Sequence, residues 1–412
     1  MFDYQTTTLP SGLRIVHQHN PSHVGYCGFI VDCGTRNETN PADYGMAHFI
    51  EHILFKGTST RDAWHINQRM ESVGGELNAF TTKEDTTFYS TFLAADFPRA
   101  CQLLCDLMFN ATAPQHELEK EQDVVIEEIE SYRDTPSELI YDVFENRLFE
   151  GHPLGHNTLG SAETVHGFNH DRCIDFIRRN YTPDRMVFFA YGPMKWDDVV
   201  KCVSRWSHAD PSTNKDKINE NHYDAIPTDV NIKETNADSY HQSHCIIGAR
   251  TYPYGHPNAA ALALINNMLG GPGMNSRLNQ QLREKRGLVY SVESNVLTFT
   301  DTGYFSIYFG CDHSDRRLCE RLCMKELRRF ADNQLSARQL EAAKKQFKGQ
   351  LGISTANLEN NALALGKNIL RRGRLESLSE TCSRIDAVTA AQIQQVASEL
   401  FAEDHLITVV LE

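Results

Sequence analysis

The chain has 412 residues, with 40 basic against 54 acidic side chains and a formal net charge of −14. That length accommodates two domains of about 200 residues, each with a full core. The spread acidic balance disfavours nucleic acid and anionic membrane as partners and favours basic or unstructured polypeptide, and no apolar run is long enough to span a bilayer.

The eleven cysteines are odd in number and scattered, with no Cys-x-x-Cys pair, so a disulfide framework is not expected. The first residues, Met1 to Thr6, lack the basic and apolar regions of a secretory leader and the arginines of a transit segment. Together these features predict a reducing cytoplasm.

The first strands are expected at Leu13-Arg14-Ile15-Val16, after the turn Pro10-Ser11-Gly12, and from Val24 to Val31. A polar loop from Asp32 to Tyr44 then delivers a helix over Gly45 to Phe55. On that helix His48 and His52 are one turn apart on the same face, the separation two imidazoles need to hold a single metal ion. Glu51 falls between them in angle, within reach of a metal-bound water. The neighbours Met46, Ala47, Phe49, Ile50, Ile53, Leu54 and Phe55 are apolar almost all round, so the helix is expected to be buried. Three ionisable groups are costly there without partners, and a zinc ion would remove that cost. The order HFIEH reverses the commoner HExxH and is the inverzincin signature. Two core histidines hydrogen-bonded to a carboxylate are the competing reading.

A second helix is predicted from about Thr60 to Val73, closed by Gly74-Gly75. Two β-rich runs follow, Glu76 to Thr81 and Thr86 to Phe92, joined by the polar turn Thr82 to Asp85. Helices are then expected from about Ala95 to Phe109, Glu117 to Tyr132 and Ser137 to Phe149. The middle one carries an apolar stripe, Leu118, Val125 and Ile129, and sets Glu121 and Glu128 on one face while Glu127 and Glu130 point elsewhere. We favour Glu128 as a third ligand, with Glu121 supporting the site. The remaining acids read as a solvated face.

The loop His152 to Gly160 offers two histidines without helical spacing or a partner acid, so no second metal is expected there. A helix (about Arg172 to Arg179), a strand (Met186 to Tyr191) and a helix (about Trp196 to Trp206) follow. Residues 207–229 are polar with hardly any aliphatic side chains, the composition of a linker. The expected organisation is therefore a metal-binding domain over 1–206 and a second domain over 230–412.

The second half repeats the first in outline. Strands near 231–234 and 243–249 lead to a helix from Asn258 to Leu269, β-rich runs at 289–299 and 303–309, and helices from about Asp315 and Ser336. The fold class is α+β, two homologous domains each with a mainly antiparallel β-sheet packed with α-helices. The pairs Cys101/Cys105 and Cys319/Cys323 recur in corresponding helices, where one-turn spacing marks a shared buried face. Aligning Phe55-Lys56-Gly57 with Leu269-Gly270-Gly271 sets His48, Glu51 and His52 against Leu262, Ile265 and Asn266, with Gln350 near the place of Glu128. The second copy has lost the ligands, so one Zn2+ per chain is expected. The glycine-rich run Leu269 to Leu278 lacks the GxxxxGK[ST] pattern of a phosphate cradle.

HFIEHILFKGT (His48 to Thr58) and ELEKEQDVVIEEI (Glu117 to Ile129) resemble the pitrilysin-type zinc metallopeptidases, in the short-chain branch like mitochondrial processing peptidase. The resemblance implies the processing-peptidase, LuxS-like metallohydrolase type of fold. It implies His48, His52 and Glu128 as zinc ligands, Glu51 as general base and Glu121 as a supporting acid. It implies that Leu77, Asn78, Ala79, Phe80 and Thr81 form an edge strand that pairs with the substrate backbone. The family's glycine-rich segment contacts substrate, usually without a proline such as Pro272. LREKRGLVY, Leu282 to Tyr290, resembles the element whose arginine and tyrosine reach the zinc site, by position Arg283 and Tyr290. A chain of this length is one half of the family's chamber. Because it carries both sets of residues, a homodimer is expected in which Arg283 and Tyr290 act in trans on extended peptides or unfolded segments. A non-catalytic peptide-binding or scaffold subunit is the alternative.

Overall fold

Turn residues and alternating apolar side chains give the first three strands. β1 (Tyr4–Thr8) and β2 (Arg14–His19) pair antiparallel across the Pro10-Ser11-Gly12 turn, and β3 (Val24–Val31) follows. The computed structural model describes residues 4–207, the backbone of 233–236, and 240–412. All but the first residue of the expected linker 207–229 lies outside them.

After β3 come α1 (Met46–Leu54), α2 (Ala63–Glu71), the hairpin β4 (Glu76–Thr81) and β5 (Thr86–Leu93), then α3 (Phe97–Asn110), α4 (Gln115–Arg133) and α5 (Pro136–Leu148). The short α6 (Ala162–His166), α7 (His170–Asn180), β6 (Met186–Gly192) and α8 (Trp196–Trp206) complete this half. α2 begins later than its apolar pattern suggests, because Asp62 caps it by accepting the His65 N–H at 2.9 Å. The threonines ahead of it are held elsewhere: Thr58 and Thr60 donate to Asp106 at 2.7 and 2.8 Å.

The second half supplies β7 (Lys233–Asn236), β8 (Ser243–Thr251), α9 (Ala259–Gly270), a π-helical turn at Asn279–Glu284, β9 (Val289–Thr298), β10 (Gly303–Cys311), α10 (Arg316–Asp332) and α11 (Ala337–Ser354). It ends with α12 (Leu358–Arg372), α13 (Leu378–Ala387), α14 (Ala390–Leu400) and β11 (Ile407–Leu411).

Two sheets result, one ordered β1-β2-β6-β3-β5-β4 and the other β7-β11-β8-β10-β9. In each, one pair is parallel, β2 with β6 and β7 with β11, and the other pairs are antiparallel. Stripped of β1, the first order is the second order, strand for strand. The mixed, mainly antiparallel architecture is thus that of two homologous domains.

The chain divides into two compact units that are not contiguous halves. The first comprises Met1–Ser131, His156–Glu220 and Thr355–Ser377, and the second Tyr132–Gly155, Asn221–Ser354 and Leu378–Glu412. The first unit therefore owns α12 from the second half of the sequence, and the second owns α5 from the first half.

The exchange covers the second face of each sheet. In the first unit one face packs on a core that includes Phe29, Phe49, Phe88, Leu104 and Phe188. The other face, with Val16, Ile30, Val187 and Phe189, meets Ala362, Leu365 and Ile369 of α12. β6 lies between and is buried along its length, as a strand covered on both faces must be. Gly366 permits the close approach: a Cβ there would stand 2.8 Å from both Ile30 Cδ1 and Phe189 Cδ1. In the second unit Ile140, Phe144 and Leu148 of α5 pack on Ile246, Ile407 and Val409 in the same manner. Cys101 and Cys105 on α3 and Cys319 and Cys323 on α10 are buried, each pair on one face of its helix.

Candidate metal centre

α1 is apolar on most of its circumference, and Met46, Ala47, Phe49, Ile50, Ile53 and Leu54 are fully buried. Its start is fixed by the left-handed Gly45, with φ +92, where a Cβ would stand 2.6 Å from the Leu159 carbonyl oxygen. The buried Glu38 carboxyl accepts the Gly45 and Ala47 N–H groups at 2.9 and 2.7 Å, which satisfies unpaired donors at the start of the helix. Burial pushes the Glu38 pKa well up, against the pull of those two N–H groups. His156 in turn approaches Glu38 at 2.9 Å and stacks on Tyr44, ring centroids 3.8 Å apart. The His152 to Gly160 loop thus steadies the helix.

His48 and His52 emerge on one side of α1 with ring centroids 4.6 Å apart. On α4, Leu118, Val125 and Ile129 are buried as the stripe requires, and that packing aims Glu121 and Glu128 at the histidines. Glu128 Oε2 lies 3.8 Å from His48 Nε2 and 3.6 Å from His52 Nε2. The three donor atoms are all within 4.8 Å of one another, the one such cluster among the described residues. Donors about 2.1 Å from a tetrahedral zinc are separated by about 3.4 Å, so a small contraction would seat the ion.

The donor chemistry also fits. Burial, then the neighbouring His52, lowers the His48 pKa to about 3, which keeps a neutral ring with its lone pair available. His52 Nδ1 lies 2.8 Å from Glu121 Oε1, the bond that fixes the tautomer leaving Nε2 free toward Glu128. Burial favours the neutral His52 ring, but the hydrogen bond to Glu121 and the surrounding carboxylates prevail and raise its pKa. A cation at Nε2 would take the place of that proton. Glu121 is only 4% exposed. Burial would raise its pKa, yet the bonds from His52 and from Lys56, whose Nζ is 2.7 Å away, hold it below the usual range.

Glu51 lies beside the cluster and binds none of its members directly. It accepts a 2.6 Å hydrogen bond from Thr81 Oγ1. Burial raises its pKa, partly opposed by that bond. A carboxylate of raised basicity next to a cation site is suited to exchanging a proton with water.

In the second unit Leu262 and Ile265 of α9 are buried apolar residues. Arg283 lies next to the end of the π-helical turn, with its Nε 3.7 Å from Glu284 Oε1, and lines a cavity of about 780 Å³ bordered by Asn266, Asn267, Gly271, Met274 and Phe347. Tyr290, at the start of β9, is 89% exposed. The structure therefore brings His48, Glu51, His52, Glu121 and Glu128 together in the first unit and places Arg283 and Tyr290 in the second. Leu77 to Thr81 lie on β4, an edge strand that among the described residues pairs with β5 alone.

Sequence reasoning missed Glu38, Lys56 and the hydroxyl of Thr81. Lys56 follows His52 by one helical turn and was within reach of a spacing argument. Glu38 had no local signal, because its partners come from the folded loop.

The fold and the centre together define a two-domain α+β protein with a candidate metal site of two histidines and one carboxylate. Residues 14–162 match the family described as insulinase (peptidase family M16), and residues 167–347 match the peptidase M16 inactive domain. A Bacillus subtilis protein named uncharacterized zinc protease YmxG is 33% identical over 98% of this chain and 97% of its own length. The beta subunit of the mitochondrial-processing peptidase of Neurospora crassa is 28% identical over 96% of this chain and 85% of its own. The crystal structure of a protease from Helicobacter pylori superposes with a TM-score of 0.91 over the whole of both chains at 20% identity. The chain belongs to peptidase family M16. Family and relatives indicate a zinc protease of that type.

Proposed function

We propose that this chain is a zinc-dependent endopeptidase that hydrolyses peptide bonds in extended peptides or unfolded protein segments, within a chamber formed by a homodimer. The observation that carries the reading is the convergence of His48 Nε2, His52 Nε2 and Glu128 Oε2, with the Glu51 carboxylate alongside and uncommitted to them. Zinc held by those three groups would polarise a substrate carbonyl and lower the pKa of a water molecule. Glu51 takes the proton from the attacking water and returns it to the leaving amine. β4 offers its open edge to the substrate backbone, which selects an extended chain with little regard to side chain. Tyr290 of the partner chain serves the developing oxyanion, while its Arg283 holds a substrate carbonyl or stabilises the site. The free cysteines support a cytoplasmic location.

A second reading, a non-catalytic peptide-binding or scaffold subunit, draws on the match of 167–347 to a domain described as inactive. Glu51→Gln separates the two. It should keep one zinc per chain and lower cleavage of a mixed peptide pool by at least about 100-fold, a loss that a chelator should reproduce in wild type. Wild-type protein that binds zinc and peptides yet cleaves none would establish the second reading.

A further inference from the structure

Strand β4 sends its side chains alternately to two faces. Leu77 and Ala79 pack against the core that includes α1, and Thr81 is the next residue on that face. An aliphatic side chain would satisfy the steric demand of such a place, so the hydroxyl is the informative part. Thr81 Oγ1 donates to Glu51 Oε2 at 2.6 Å. Among the described residues this is the one hydrogen-bond partner of Glu51. The donor's direction follows from its neighbour. Thr86, the cross-strand partner of Thr81, gives its own proton to the Cys33 carbonyl oxygen at 2.8 Å and so does not donate to Thr81; as an acceptor it stands 3.4 Å from Thr81 Oγ1, a far longer approach than the 2.6 Å to Glu51, which therefore takes the Thr81 proton.

The turn that follows Thr81 is held from several sides. Thr82 Oγ1 donates to the Asp85 carbonyl at 3.0 Å and accepts the Asp85 N–H at 3.1 Å. The Thr35 and Arg36 N–H groups bind the Thr82 and Lys83 carbonyls at 3.2 and 2.8 Å. Arg36 pairs with Glu84 at 2.7 Å, Arg371 with Asp85 at 3.1 Å, and the buried Lys83 ammonium donates to the His156 carbonyl. A hydroxyl at the end of a strand anchored by so constrained a turn has little freedom left to lose when it binds, so it can fix a side chain that has three rotatable bonds.

We propose that Thr81 is a positioning residue for the base: its hydroxyl holds the Glu51 carboxylate beside the His48, His52 and Glu128 donors, a role that rests on the peptidase reading above. The test compares Thr81→Val, which keeps the branched shape and deletes the donor, with Thr81→Ser, which keeps the donor. The expected result for Thr81→Val is a kcat lower by about 10- to 100-fold, with KM within about twofold and one zinc per chain, and recovery of most of that loss in Thr81→Ser. Crystal structures of the zinc-loaded variants give a readout that needs no turnover. The Glu51 carboxylate should leave its wild-type position in Thr81→Val and regain it in Thr81→Ser. An unmoved carboxylate in Thr81→Val, an unchanged kcat, a loss lying in KM or zinc content, or a serine variant that restores nothing would each overturn the role. If wild-type protein cleaves no peptide, the peptidase reading fails, while the carboxylate position still decides whether Thr81 holds Glu51.

Discussion

Glu121 shows how one side chain can bear on a candidate centre from outside its three donors. It accepts from His52 and Lys56 at 2.8 and 2.7 Å, so the same carboxylate sets the His52 tautomer and is neutralised by the lysine. Glu121→Gln leaves an acceptor for His52 but removes the charge, and should weaken zinc binding by about 10- to 100-fold in chelator competition. Unchanged affinity would mean that packing alone orients His52. The reach of the sequence ends at this scale for a clear reason. His48, Glu51 and His52 were legible because helical periodicity alone sets their faces, and Glu128 because a seven-residue interval puts it beside Glu121. Glu38, seven residues before the Gly45 N–H it accepts, and Thr81, thirty residues from Glu51, meet their partners only through the fold.

At the scale of elements, each sheet depends on being covered twice, and burial on both faces has a cost in acid. His17 on β2 is 2% exposed. Burial, only partly opposed by the nearby Gly192 backbone, lowers its pKa to about 4. The unfolded chain takes up a proton at the ordinary histidine value of about 6.5 while the folded chain resists until about 4, so stability falls as pH drops through that window. Above about pH 6.5 both states are neutral and the contribution vanishes. His17→Phe should therefore flatten the fall in melting temperature between pH 7 and 5, by an amount on the order of 1–2 kcal/mol. Parallel melting curves for variant and wild type across that range would refute the assignment. The ownership of α5 and α12 was beyond sequence reading for a related reason. Periodicity can show that a helix has an apolar stripe, but not which of two similar sheets will receive it.

That exchange of helices bears on the whole molecule. A fragment of residues 1–206 would carry α5 without its sheet and would leave Val16, Ile30, Val187 and Phe189 without α12. A fragment of 230–412 would have the reverse defect. Each should aggregate when expressed alone, and co-expression should yield a soluble pair that binds zinc; a soluble, cooperatively melting 1–206 fragment would show that α12 is dispensable. Catalysis at this scale poses a further question, because the candidate ligands and base belong to the first unit while Arg283 and Tyr290 belong to the second. If the two sets meet between chains, a dimer of Glu51→Gln with Tyr290→Phe contains one centre with both defects and one with neither. Mixing the two inactive homodimers under exchanging conditions should then restore up to about one quarter of wild-type activity, since half of the dimers are mixed and each has one sound centre. Were the two sets to act within one chain, every centre in the mixture would keep one defect. Heterodimers confirmed by mass spectrometry but without recovered cleavage would place Tyr290 in the service of its own chain.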